Sequence, residues 1–181
     1  MSKIGRKPIA VDNAKVEVKG QQVHYKGKFS SGVHELPSFM KVDFDGQAIK
    51  LTLAESNNAN NKFWGLHRAL LANKIKGSNE LFEKKVQIVG LGYKAELLGK
   101  TKVKFSLGFS HKIEQLLPEV VTLEIDKTGQ LLTFKSSDKE VLGQVCATVR
   151  SLRPPEPYKG TGIKLSTEVI RRKAGKTKAA V

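Results

Sequence analysis

Residues 41–53 read KVDFDGQAIKLTL and residues 122–134 read TLEIDKTGQLLTF. Each alternates apolar and polar residues on both sides of a turn, as half-buried antiparallel strands do. Asp45-Gly46 is a turn signal in the first copy, and the second has a slightly longer turn. Two hairpins of one pattern, about 80 residues apart, suggest a fold used twice. Upstream of the first, VEV leads to Gly20, and QVHYKG and VHEL alternate in the same way. Downstream, ESNNANN supplies loop and cap residues, and the period then becomes helical from Phe63 to Ile75. Phe63, Leu66, Leu70, Leu71 and Ile75 fall on one broad face there, with Trp64 at its edge.

The second hairpin has the same surroundings. KKVQIVG after residue 82 answers AKVEVKG in the first half. A helix over Val141–Leu152 follows Ser137 and Glu140, which read as a capping box. Val141, Val145, Val149 and Leu152 make its expected buried stripe. Gly65 and Ala69 of the first helix correspond to Gly143 and Ala147 of the second. The expectation is an α+β chain with an internal duplication: two similar domains, each a small antiparallel β-sheet packed with one α-helix. The boundary falls near Asn79–Phe82, giving an N-terminal repeat over 1–81, a C-terminal repeat over 82–175 and a basic tail over 176–181.

The chain of 181 residues carries 32 Lys and Arg against 17 Asp and Glu, a formal net charge of +15. Such an excess calls for an anionic partner, nucleic acid first. Its distribution is uneven. Residues 1–81 hold 13 basic and 7 acidic residues, residues 82–149 hold 10 and 8, and residues 150–181 hold 9 and 2. Nearly half the excess therefore lies in the last 32 residues. A single cysteine, Cys146, excludes an intramolecular disulfide and a thiolate zinc cluster. No apolar run approaches a membrane span. The N-terminal MSKIGRKPIAV has no apolar segment after its basic residues, so it does not read as a secretory signal. The expectation is a soluble intracellular protein.

Several fragments imitate catalytic or nucleotide sites. Gly90-x-Gly92-x-x-Ala95 follows a strand pattern and fits the dinucleotide fingerprint, which needs a helix next. YKAELLGKTKVKFSL instead alternates and breaks at Gly99, as a hairpin does. Two GKT triplets lack the glycine a P-loop requires, since Lys94 and Ile170 occupy that position. Cys146 reads as a small core residue. His24, His34, His67 and His111 show no ligand spacing, and His67 reads as a packed or interface histidine. The carboxylates are scattered along strands. No catalytic constellation, cofactor site or metal site emerges.

The charged end opens with RPPEPYKGTGIK, Arg153–Lys164. Pro154, Pro155 and Pro157 fix φ and stiffen the chain before a partner arrives. Gly160 and Gly162 admit close backbone approach and positive φ. Tyr158 offers a flat face and a hydroxyl. Arg153, Lys159 and Lys164 bring charge, and Arg171, Arg172, Lys173, Lys176 and Lys178 extend the track. Rigid turns with bare backbone and cations suit irregular folded RNA. No helix for reading the DNA major groove is evident.

RPPEPYKGTGI followed by RRKAGK resembles the signature of the bacterial-type ribosomal large-subunit protein six family. IGRKPI at 4–9, VGLGYKAEL and SLGFSHKI are similar to other recurrent blocks of that family, in the same order from Ile4 to Lys176. Two positions depart from the pattern: Thr161 stands where the family has lysine between the glycines, and Lys112 where it tends to have proline. The resemblance implies a two-domain structural protein of the large ribosomal subunit, not an enzyme. Its second domain would bind large-subunit rRNA near the loop where translational GTPases dock, with neighbouring ribosomal proteins as further partners. The expected contacts are Arg153, Tyr158, Lys159, Gly160, Gly162, Lys164, Arg171, Arg172, Lys173 and Lys176, flanked by Lys94 and by the Phe109–Lys112 loop with its His111 and Lys112. The expected location is the ribosome in the cytoplasm, with an organelle still open. The blocks begin at residue 4, so a transit peptide is not expected. The alternative is a generic RNA-binding or protein-interaction module outside the ribosome.

Overall fold

A computed structural model of the chain describes residues 2–12, 14–54 and 58–175. The chain divides into two compact units, Met1–Phe82 with Ser137–Lys139, and Glu83–Ser136 with Glu140–Val181.

The first unit runs β1 (Ile9–Ala10), β2 (Lys15–Lys19), β3 (Gln22–Lys26), β4 (Ser31–Glu35), β5 (Met40–Phe44), β6 (Ala48–Leu53) and α1 (Asn58–Asn79). Strands β2, β3 and β4 form one antiparallel meander, and β1-β6-β5 form a second sheet. The quoted hairpin is β5–β6, with Val42 opposite Leu51 and Gly46 turning at φ 82°. Ile9, Val23, Met40, Ile49, Leu51, Trp64, Leu71 and Ile75 close the core. Trp64 donates its indole N–H to the Leu51 carbonyl at 2.8 Å, fastening α1 to β6. Arg68 donates to the carbonyls of Lys7 and Pro8, which holds the IGRKPI segment, and Gly5 lies so close to the Trp64 ring that no side chain fits.

This helix corrects the expected face in part: Leu71 and Ile75 are buried as expected, and Trp64, expected at the edge, joins them. Its core side is Trp64, Leu71 and Ile75, whereas Phe63 and Leu66 are 49% and 48% exposed and Leu70 is half-buried. Both stripes have helical spacing, so periodicity alone could not choose between them. The buried side holds the larger aromatic surface and gives the indole N–H a partner. α1 also begins at Asn58, before the expected Phe63, despite the weak helix preference of asparagine.

One polar chain enters this core. His34 on β4 is 5% exposed; its Nδ1 meets the Lys74 ammonium at 3.2 Å and its Nε2 meets His67 Nδ1 at 3.3 Å. An ammonium only donates, so His34 Nδ1 accepts and Nε2 carries the proton of the neutral ring. Burial, then the Lys74 charge, then His67 push the His34 imidazole down to about 4.

The second unit runs β7 (Phe82–Val89), β8 (Lys94–Leu98), β9 (Lys102–Ser106), β10 (Ile113–Leu116), β11 (Val121–Ile125), β12 (Leu131–Ser136), α2 (Lys139–Leu152) and β13 (Gly162–Leu165). Strands β8-β9-β10 form a meander, and β11-β12-β7-β13 a four-stranded sheet. Phe105, Phe134, Ile88, Leu132, Leu142, Cys146, Val149 and Ile163 are fully buried. The buried set of α2 is Leu142, Val145, Cys146 and Val149; Val141 and Leu152 of the expected stripe are only half-buried. Cys146 is the core residue the sequence suggested, and burial pushes its thiol pKa up.

The halves are therefore both α+β, each with antiparallel sheets and one helix. Topology corrects one detail of the repeat. β1 pairs with β6 as β7 lies beside β12, so KKVQIVG matches Ile9–Ala10, and β2-β3-β4 match β8-β9-β10. Strand alternation carries no information on which neighbour a strand will take.

Candidate nucleic-acid interface

The Arg153–Lys164 segment leaves α2 and returns as β13 along the free edge of β7. Gly162 pairs with Val89 and Leu165 with Val86. Inside the loop, Ile163 N–H donates to the Arg153 carbonyl at 2.8 Å, Glu156 N–H to Thr161 at 2.9 Å and Gly160 N–H to Glu156 at 3.0 Å. Thr161, at the position that departs from the family pattern, donates its hydroxyl to the Glu156 carboxylate at 2.9 Å. Ile163 is fully buried and anchors the returning strand in the core.

Both signature glycines are buried against the chain itself. Gly162 sits at φ 138°, and a Cβ there would lie 2.6 Å from the Pro154 carbonyl oxygen and 2.8 Å from Pro155 Cα. Gly160 sits at φ 74°, with the Arg172 guanidinium 3.2 Å from the site of a Cβ. The loop's own backbone thus requires glycine at these positions.

Beyond β13 the chain stays fastened. Ser166 N–H donates to Lys85, and Lys173 N–H donates to the Pro157 carbonyl at 2.9 Å. Arg150 of α2 forks onto Glu168 at 2.8 and 2.5 Å, and Glu168 also accepts from Leu165 N–H at 3.3 Å. The Arg150 hydrogen bond holds the Glu168 carboxyl below the usual carboxylate range. From this frame Tyr158, Lys159, Arg171, Arg172 and Lys173 are exposed, and Lys164 is half-buried. Lys176, the last expected contact, lies outside the described residues.

A second cluster adjoins the start of the loop. The Arg153 guanidinium lies 4.7 Å from the Phe109 ring centre and 5.9 Å from that of Tyr93. Phe109 and His111 stack with centroids 5.9 Å apart and planes 21° apart. A Cβ on Gly90 or Gly108 would strike the Tyr93 ring at 2.7 or 2.8 Å, so two glycines make room for that ring. The structure thus joins Arg153 to His111 through Phe109. Sequence reasoning named Arg153, His111 and the Phe109–Lys112 loop, and missed Tyr93 and the contacts that join Arg153 to Phe109. The available signal was an aromatic residue in each of two glycine-bearing loops, VGLGY and SLGFSH. Lys94 instead pairs with Glu96 on its own strand at 2.7 Å, while Lys112 is exposed.

The decoy motifs resolve physically. The Gly90–Ala95 turn leads into β8, which pairs with β9, so a strand and not a helix follows it. Gly99 is the turn between those two strands, at φ 76°. Among the described residues no group of three His, Cys, Asp or Glu could hold a metal, and no helix is long and apolar enough to cross a membrane.

A family model described as ribosomal protein L6 matches residues 89–165, from the end of β7 through β13. The chain is 46% identical to the large ribosomal subunit protein uL6 of Myxococcus xanthus, covering 98% of each. It is 42% identical to the protein of that name from Carboxydothermus hydrogenoformans, over 98% of this chain and 97% of the relative. Against the one from Magnetococcus marinus identity is 38%, over 98% of this chain and all of the relative.

Proposed function

From the premise that this chain belongs to the ribosomal protein L6 family, shown by relatives matched along nearly their whole length, we propose that it binds large-subunit rRNA through the segment from Arg153 to Lys173. It serves there as a structural protein without chemistry of its own. The observation that carries this reading is the knitting of a cationic segment into a sheet. Arg153, Lys159, Lys164 and Arg171–Lys173 hang from β13 and from turns fixed by backbone hydrogen bonds, not from a loose tail. A preformed array gives up little conformational freedom on binding and presents its charges at fixed spacing to a folded RNA. Lys176, Lys112 and Lys94 flank this array in the proposed interface. Family membership further implies that the second unit lies near the docking region of translational GTPases, and that neighbouring ribosomal proteins contact the first.

The test is binding of the full chain to large-subunit rRNA fragments and to an unrelated RNA across a salt series. Neutralising about six phosphates gives a log–log salt slope of roughly −5. Exchanging Lys159 and Arg171 together for glutamine should flatten the slope by about 2 and weaken rRNA binding. Removing residues 153–181 is less informative, because it strips Ile163 from the core. Equal affinity for both RNAs, or a slope unmoved by the double exchange, would overturn the reading.

A further inference from the structure

We propose that Arg153, Phe109 and His111 form a stacking site for one unstacked nucleobase. This rests on the rRNA reading above and deepens it by naming a ligand class, a base rather than a phosphate. Phe109 is a large aromatic residue left 41% exposed beside the most cationic part of the chain. One neighbour is a guanidinium 4.7 Å from its ring centre and the other an imidazole stacked at 5.9 Å. Such a row of flat groups continues naturally into a further flat ring, and every base has a π-face to add.

Three features favour a base over an apolar protein side chain. Arg153 forms no salt bridge among the described residues, so its charge is uncompensated by protein. A guanidinium stacked on a ring keeps N–H groups in its own plane, where they can meet the edge of a base or the adjoining phosphate. The exposed cations that follow Arg153 in the chain, Lys159, Arg171 and Arg172, attract a polyanion. The platform is also preformed. Tyr93 sits under Arg153, with Gly90 and Gly108 leaving it room, and the Arg153 carbonyl is held by Ile163 N–H.

The test uses the full chain and a transcript of the large-subunit rRNA domain that it selects, with an unrelated RNA beside it. Phe109→Leu keeps apolar bulk and removes the ring; Arg153→Lys keeps charge and removes the plane. Each should weaken binding to the selected RNA about tenfold, leave the salt slope unchanged and leave the thermal midpoint near that of the parent. Chemical probing should show one unpaired base whose protection is lost in both variants. Variants that bind the selected RNA as the parent does, or that flatten the slope, would overturn the stacking site while the rRNA reading stands. A parent chain that does not distinguish the two RNAs would instead overturn the rRNA reading, and this site with it.

Discussion

The two units share a hairpin, a meander and a helix, and they part at one sheet edge. In the first unit β1 is a two-residue strand, and among the described residues nothing pairs with its outer side. In the second, the matching strand β7 has eight residues and accepts β13 on that side. The added strand turns the exit of a helix into a frame for cations. A basic tail would have to be ordered by its partner at the moment of binding. A strand whose centre is the fully buried Ile163 is ordered when the unit folds. The first unit shows what the same fold is without that addition: a core and a scaffold, with its cations unorganised by any fourth strand.

The largest expected effect comes from removing that difference. Gly162→Val places a branched side chain where Pro154 and Pro155 already stand, at a positive φ. It should cost the second unit about 3 kcal/mol or more and abolish selective RNA binding. The chain's one tryptophan, Trp64, lies in the first unit. Urea unfolding followed by Trp64 fluorescence should therefore hold its midpoint while circular dichroism shows an earlier transition. Equal shifts in both signals would show that the units do not respond separately.

Acid should single out the first unit. Burial, then the Lys74 charge, hold the His34 pKa down at about 4 against an ordinary value of 6.5, so as pH falls the unfolded chain takes up the proton first. Stability from the neutral ring is full above pH 6.5 and is lost as pH falls through about 4. The span corresponds to roughly 2–3 kcal/mol. The Trp64 midpoint should drop between pH 7 and pH 4.5 and should drop much less in His34→Gln. A parallel loss in the variant would assign the acid sensitivity elsewhere.

A smaller effect sharpens the role of the second unit's frame. Thr161→Lys restores the cation of the family pattern beside Glu156. It should steepen the salt slope by up to about 1 and tighten rRNA binding a few-fold at low salt. No change in slope would mean that Glu156 retains the new ammonium. The smallest effect belongs to α1: Phe63→Ser should cost only about 1 kcal/mol, because the ring is half in water already and keeps one tilted contact with Phe39. A loss of several kcal/mol would return Phe63 to the core.

The hairpins were legible in the sequence because a period of two, broken by Asp45-Gly46 or Gly129, encodes both strand and turn locally. The rigid charged segment was legible because proline, glycine and cations coincide over Arg153–Lys164. What failed was information about neighbours. AKVEVKG and KKVQIVG look alike, yet β2 lies in a meander and β7 in the centre of the other sheet. Phe63, Leu66 and Leu70 share the expected face with Leu71 and Ile75, and only packing left Phe63 and Leu66 half in water and drew Trp64 into the core. The Arg153–Phe109 contact and the Lys74–His34 contact each join distant segments, so neither leaves a local pattern. The glycines of the signature were recognised, but their crowding by Pro154 and Arg172 required coordinates.

The position of β13 late in the chain has a consequence for synthesis. The chain emerges N-terminus first, so β7 is made long before its partner Gly162–Leu165. Until then its outer edge carries unpaired N–H and C=O groups beside Val86 and Ile88, a template for pairing with other chains. Arrival of β13 closes that edge and, in the same step, sets Arg153 and Lys164 on their frame. In a newly made chain, closing the β7 edge and ordering the cationic frame are thus a single folding event.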